Sequence, residues 1–282
     1  MSKLTPQDSA QQTEGDRVTP SQWQDWIARI VPVLYLTTLT IALPTILTQS
    51  FVVSDLAATQ EQKLQHQLRS ISIKVLAHGE TIGSGVLLHR HRQVYTVVTN
   101  AHVIQAANAP FQLQTHDGQI YATALVRPPT GQNRDVSILR FQTNRTYAVA
   151  KFATTSPKIG DRVWLSGFPL RNVESPARPT APVKPVWGLE TLSSGVTHIL
   201  PVAIAGGYRI GCDRSIRKGM SGGPMLDRAG KLVGINGVHA NPLWETPEVL
   251  EDGSTVGDAL QEQIANSSWA IPIEFVKQYA GY

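Results

Sequence analysis

From Ile30 to Ser54 the chain carries no charged side chain. A helix needs about twenty consecutive apolar residues to cross a hydrocarbon core, and this run is long enough. Trp23, Trp26 and Tyr35 near one end suit an interfacial aromatic belt, and Arg29 marks a water-facing boundary. Pro32 and Pro44 sit better in a membrane span than in a soluble helix of this length. The pattern predicts a transmembrane helix or signal anchor over 30–54. A polar, disordered tail is predicted before it over 1–29. The apolar run is longer than a usual signal-peptide core and lacks an A-x-A site, which favours an anchor. Residues 55–69 then read as a polar connector, with Leu56, Leu64 and Leu68 at helix-compatible spacing.

From Ser70 the texture changes to short runs rich in β-branched residues, separated by Gly, Pro, Asn and Asp. Strands are predicted over 71–75, 84–88, 94–99, 111–114, 120–126, 136–141, 162–166, 186–191, 197–204, 208–211, 225–226, 232–236 and 269–273. Many short strands with few convincing helices indicate an all-β barrel or sandwich over 70–282. Pro169 to Pro185 reads as a long surface loop, and 241–268 lengthens a second one.

Composition narrows the function classes. The 282 residues carry a formal net charge of +4 with no dense basic block, which argues against nucleic-acid binding. A single cysteine, Cys212, rules out an internal disulfide framework and Cys-rich zinc sites. His89-Arg90-His91-Arg92 lies between two predicted strands and reads as a solvated hairpin turn rather than a metal site. The sequence calls for no metal and no cofactor.

The reactive-looking stretch is Lys218-Gly219-Met220-Ser221-Gly222-Gly223-Pro224. Glycines around a serine let the backbone turn sharply and a substrate approach closely. Gly219 to Gly223 also fits the G-x-S-x-G elbow of α/β-hydrolases, but Gly-Gly-Pro is a poor start for the helix that elbow requires. Only His239 and Asp227 remain downstream as partners, so they are sought upstream. A serine hydroxyl needs a base, and the base an orienting group. Thr99-Asn100-Ala101-His102-Val103 puts His102 where a strand ends. Asn133-Arg134-Asp135-Val136 puts Asp135 at the mouth of an apolar strand.

These motifs, with Gly83-Ser84-Gly85-Val86, Val233-Gly234-Ile235 and Ala270-Ile271-Pro272-Ile273, resemble the chymotrypsin-like serine endopeptidases, in particular their bacterial HtrA/Deg branch. The His, Asp, Ser order is the family's. The resemblance implies two six-stranded antiparallel β-barrels, the first about 70–150 and the second about 151–282. It implies His102, Asp135 and Ser221 as catalytic triad, the amides of Gly219 and Ser221 as oxyanion hole, and protein or peptide substrates. It further implies a substrate pocket near Ser215, Asn236, Gly237 and His239. Two departures accompany it. Met220 stands where digestive enzymes place the aspartate of their zymogen switch, and the chain is expected to lack the PDZ domain common in that branch. The expected function is a serine endopeptidase held at a membrane through 30–54, with its protease domain periplasmic or luminal. The alternative is a catalytically silent protease-fold peptide-binding module.

Overall fold

A computed structural model describes residues 58–127, 134–170, 188–214, 216–238 and 249–281. The tail over 1–29 and the span over 30–54 lie outside the described residues. Among the described residues no helix is long and apolar enough to cross a membrane.

The first described element is a helix, α1, over 58–71. Leu64, Leu68 and Ile71 are buried, and their spacing places them on one helical face. That face joins a core cluster with Trp164, Leu226 and Leu232. Polar contacts fix its N-terminal end: the Trp164 indole N–H donates to Glu61 Oε2 at 2.7 Å, and the Gln60 amide donates to the Arg228 carbonyl at 2.8 Å. The described part of the segment predicted as a polar connector is therefore docked on the β-structure that follows.

That β-structure forms two antiparallel sheets. The first contains β1 (Ser72–Ala77), β2 (Glu80–His91), β3 (Val94–Thr99), β4 (Phe111–Gln114), β5 (Ile120–Ala122), β6 (Ala124–Arg127) and β7 (Ser137–Gln142), in the order β5-β4-β1-β2-β3-β7-β6. The expected six strands become seven because the run over 120–126 splits at Thr123. β5 pairs with β4 on one edge and β6 with β7 on the other. Thr123 spans the seam, its N–H donating to Phe111 O at 3.3 Å and its hydroxyl to Arg140 O at 2.8 Å. One bent strand thus closes the sheet on itself.

The second sheet is a closed barrel of β8 (Arg162–Gly167), β9 (Glu190–Ile204), β10 (Tyr208–Cys212), β11 (Pro224–Leu226), β12 (Leu232–Val238) and β13 (Ser268–Pro272). Two predicted strands merge into β9. Its residues 190–195 pair with β8, whereas Val196 onward pairs with β10, so the chain changes partner without breaking. Among the described residues three more helices follow: α2 (Ala101–Gln105), α3 (Asp258–Asn266) and α4 (Ile273–Ala280). α3 occupies part of the expected loop insertion, and α4 buries Ile273, Val276 and Tyr279. Of the His89 to Arg92 run, the first three residues belong to β2, and only Arg92, at φ +55, enters the turn.

Candidate active site

β3 and β7 pair so that Thr99 faces Ser137. That register brings Asp135, just before β7, beside the first turn of α2, which carries His102. The contact is double. The His102 backbone N–H donates to Asp135 Oδ1 at 2.8 Å, and His102 Nδ1 meets Oδ2 at 2.6 Å. The Asp135 backbone is also fixed at both ends, its carbonyl accepting the Asn100 side-chain amide at 2.8 Å and its N–H donating to Gly206 O at 2.9 Å. A further donor, the Tyr208 hydroxyl, reaches Oδ2. His102 is 43% exposed, while Asp135 is 15% exposed.

Burial acts to raise the Asp135 pKa. The bonds from His102, its charge and the Tyr208 hydroxyl outweigh burial and hold the carboxyl below the ordinary carboxylate value. When the imidazole is neutral, an ionised Oδ2 holds the ring proton on His102 Nδ1 and leaves the Nε2 lone pair as an acceptor. Tyr208 is pushed well above the usual tyrosine value, first by burial and then by the neighbouring Asp135 charge.

Ser221 lies in a loop whose peptide planes are set by captured carbonyls. Leu170 N–H donates to Lys218 O at 2.8 Å, and Gly223 N–H donates to Met220 O at 3.1 Å. Carbonyl and N–H point in opposite directions across a trans peptide, so the N–H groups of Gly219 and Ser221 are turned away from these captors. Among the described residues neither N–H has a hydrogen-bond acceptor. Gly219 needs its φ of +94 for this turn. Ser84, fully buried in β2, anchors the loop from the other sheet. Its N–H donates to Ser221 O at 2.9 Å, while its hydroxyl donates to Gly219 O at 2.7 Å and accepts the Phe168 N–H at 2.8 Å. Met220 is fully buried and plugs the cluster of Ile216, Cys212 and Val196. The Ser221 hydroxyl donates to Gly237 O at 2.9 Å.

The pocket expectations divide. Ser215 and His239 lie outside the described residues. Asn236 is fully buried, its amide donating to Ser166 O at 2.9 Å, so its side chain braces the barrel rather than facing a substrate. Gly237 is also buried, under the Tyr208 ring, and its carbonyl serves Ser221. Three residues with no expected role at the site belong to it: Asn100, Ser84 and Tyr208. The first two lay inside recognised motifs. Tyr208 carried no signal beyond the start of a predicted strand.

A family profile described as "Trypsin-like peptidase domain" matches residues 83–235, a span containing His102, Asp135 and Ser221. The chain belongs to this trypsin-like peptidase family. Among curated proteins it is similar to the serine protease Do-like HtrA of Bacillus subtilis, 28% identical over 159 residues, 55% of this chain and 32% of the relative. It is likewise similar to the periplasmic serine endoprotease DegP of Escherichia coli K12, 27% identical over 203 residues, 70% of this chain and 34% of the relative. The chain thus spans about a third of the length of the curated relatives it matches. The crystal structure of the serine endoprotease from Yersinia pestis shares the trypsin-like fold, with a TM-score of 0.54 at 20% identity, covering 77% of this chain and 64% of that one.

Proposed function

We propose that this chain is a serine endopeptidase that hydrolyses peptide bonds of protein or peptide substrates through an acyl-enzyme. Ser221 is the nucleophile, His102 the general base and acid, and Asp135 the group that fixes the imidazole. The observation that carries the reading is the pair of hydrogen bonds from His102 to an ionised Asp135, through its backbone N–H and Nδ1, which leaves Nε2 to take a proton. The Ser221 hydroxyl leaves Gly237 O, passes its proton to His102 Nε2 and adds to the scissile carbonyl carbon. The resulting oxyanion is received by the N–H groups of Gly219 and Ser221, and His102 returns the proton to the leaving amine. Water then repeats the sequence on the acyl-enzyme and releases the acid. The 30–54 run anchors the chain in a membrane. The names of periplasmic relatives support a protease domain outside the cytoplasm.

The test is labelling with a fluorophosphonate, followed by casein hydrolysis. Wild-type protein is expected to carry the adduct on Ser221, and Ser221→Ala to lower turnover by about 10⁶, because the three groups act as a unit. Absence of an adduct in folded protein, or hydrolysis persisting in Ser221→Ala, overturns the reading and favours a silent binding module.

A further inference from the structure

Asp135 receives more donors than a group that merely orients His102 requires, and the additional one comes from the opposite sheet. Tyr208 opens β10, directly after the Gly206-Gly207 turn of the β9–β10 hairpin, and is 4% exposed. Its hydroxyl donates to Asp135 Oδ2, the same oxygen that holds His102 Nδ1. Its ring is wedged between two glycines. A Cβ on Gly206 would lie 2.9 Å from the ring edge, and one on Gly237 would fall inside the ring itself. Gly206 supplies the carbonyl that takes the Asp135 N–H, and Gly237 supplies the carbonyl that takes the Ser221 hydroxyl.

We propose that Tyr208 is a positioning residue of the active site, one phenol that both fixes the Asp135 carboxylate and seats the Gly237 carbonyl against which Ser221 rests. This rests on the triad reading above. The phenol supplies its hydrogen bond without adding charge, since burial and the adjacent carboxylate keep it protonated. The charged groups around it are Asp135, His102 beyond Asp135, and Arg134 beneath the hairpin turn. The Arg134 guanidinium is engaged by Glu251 at 2.7 Å and by the Phe275 ring, 3.8 Å from its centroid. A hydrogen bond to Oδ2 spreads the carboxylate charge over two donors. Without it the charge on Oδ2 is met by the His102 Nδ1 contact alone.

The experiment uses the full-length chain and the rate of fluorophosphonate labelling as a function of pH. In that reaction Ser221 Oγ bonds to phosphorus, fluoride leaves and the hydroxyl proton passes to His102. Tyr208→Phe keeps the ring and removes only the donor. The plateau rate is expected to fall roughly tenfold to a hundredfold, the worth of a hydrogen bond to a charged group, and the acid limb to move to higher pH. Replacing Tyr208 with 3-fluorotyrosine, a stronger donor of nearly the same shape, is expected to move the limb to lower pH, and it guards against a Phe variant that fails to fold. A lowered melting temperature with the limb unmoved in both variants would make Tyr208 a packing residue and overturn the proposal. Wild-type labelling separates the two readings. If wild type labels on Ser221 and both variants match its profile, Tyr208 has no positioning role while the triad stands. If wild type does not label, the triad fails and this inference with it.

Discussion

Ser84→Ala removes one oxygen atom at the join between the two sheets. In the native protein that oxygen is fully buried, accepts the Phe168 N–H at 2.8 Å and donates to Gly219 O at 2.7 Å. Alanine removes both of these hydrogen bonds from the buried interior, at about 1–3 kcal/mol each. The expected destabilisation is therefore roughly 3 kcal/mol, or about 6–12 °C in melting temperature for a domain of this size. The same change frees the Gly219 carbonyl and loosens the Gly219–Met220 peptide, which lies between the two peptides that present the Gly219 and Ser221 N–H groups. Loss of one oxyanion donor costs about 10² to 10³ in rate. Here the donor is loosened rather than deleted, because Leu170 still holds Lys218 O, so a slowing of about tenfold is expected at a temperature where the variant is fully folded. Ser72→Ala is the comparator. Its hydroxyl is equally buried and bonds Leu68 O at 2.7 Å and Ser166 Oγ at 2.8 Å, outside the Ser221 loop. It should lose stability while keeping the wild-type labelling rate on folded protein. Equal labelling rates for Ser84→Ala and wild type would refute the claim that Ser84 holds the loop.

Gly237→Ala drives a Cβ into the Tyr208 ring, and overpacking at such a site costs about 1–3 kcal/mol. Calorimetry should find a lower melting temperature and probe labelling a slower rate; a variant as stable and as fast as wild type would contradict the interlock. Asp135 has a folded-state pKa below its ordinary value, so its contribution to stability is present above the unfolded pKa of about 3.9 and is lost as pH falls through the folded value. Melting temperature measured against pH should accordingly drop less steeply below about pH 4 in Asp135→Asn than in wild type, and parallel curves would dismiss that linkage.

What could be read from the sequence was local. His102, Asp135 and Ser221 stand at strand ends and in a glycine-rich turn, where the type of a residue and its immediate neighbours define its geometry. The strands of the two sheets were legible for the same reason. Thr123 was not, because nothing within 120–126 says that the strand changes partner there; the reason lies in Phe111 and Arg140 on opposite edges. The gap over 192–196 between two expected strands is part of β9, since a break in apolar alternation looks the same whether the strand stops or passes from β8 to β10. α4 was hidden because it follows β13 without a break, and its apolar face registers only once it packs on the barrel. Tyr208 was hidden in the same way, lying 73 residues from its partner in the chain.

The contacts of Ser84, Tyr208 and Gly206 cross from one sheet to the other. Ser84 reaches from β2 to the Ser221 loop, and Tyr208 and Gly206 reach from the β9–β10 hairpin back to Asp135. Each sheet carries part of the reactive set, and each supplies the hydrogen bonds that orient the other's part. His102 and Asp135 can meet within the first sheet alone, through the β3–β7 register. The Gly219 peptide and the Asp135 carboxylate reach their final orientation only once the sheets are joined. A fault at the join should thus impair the chemistry before it unfolds either sheet, because the same buried oxygens serve both tasks.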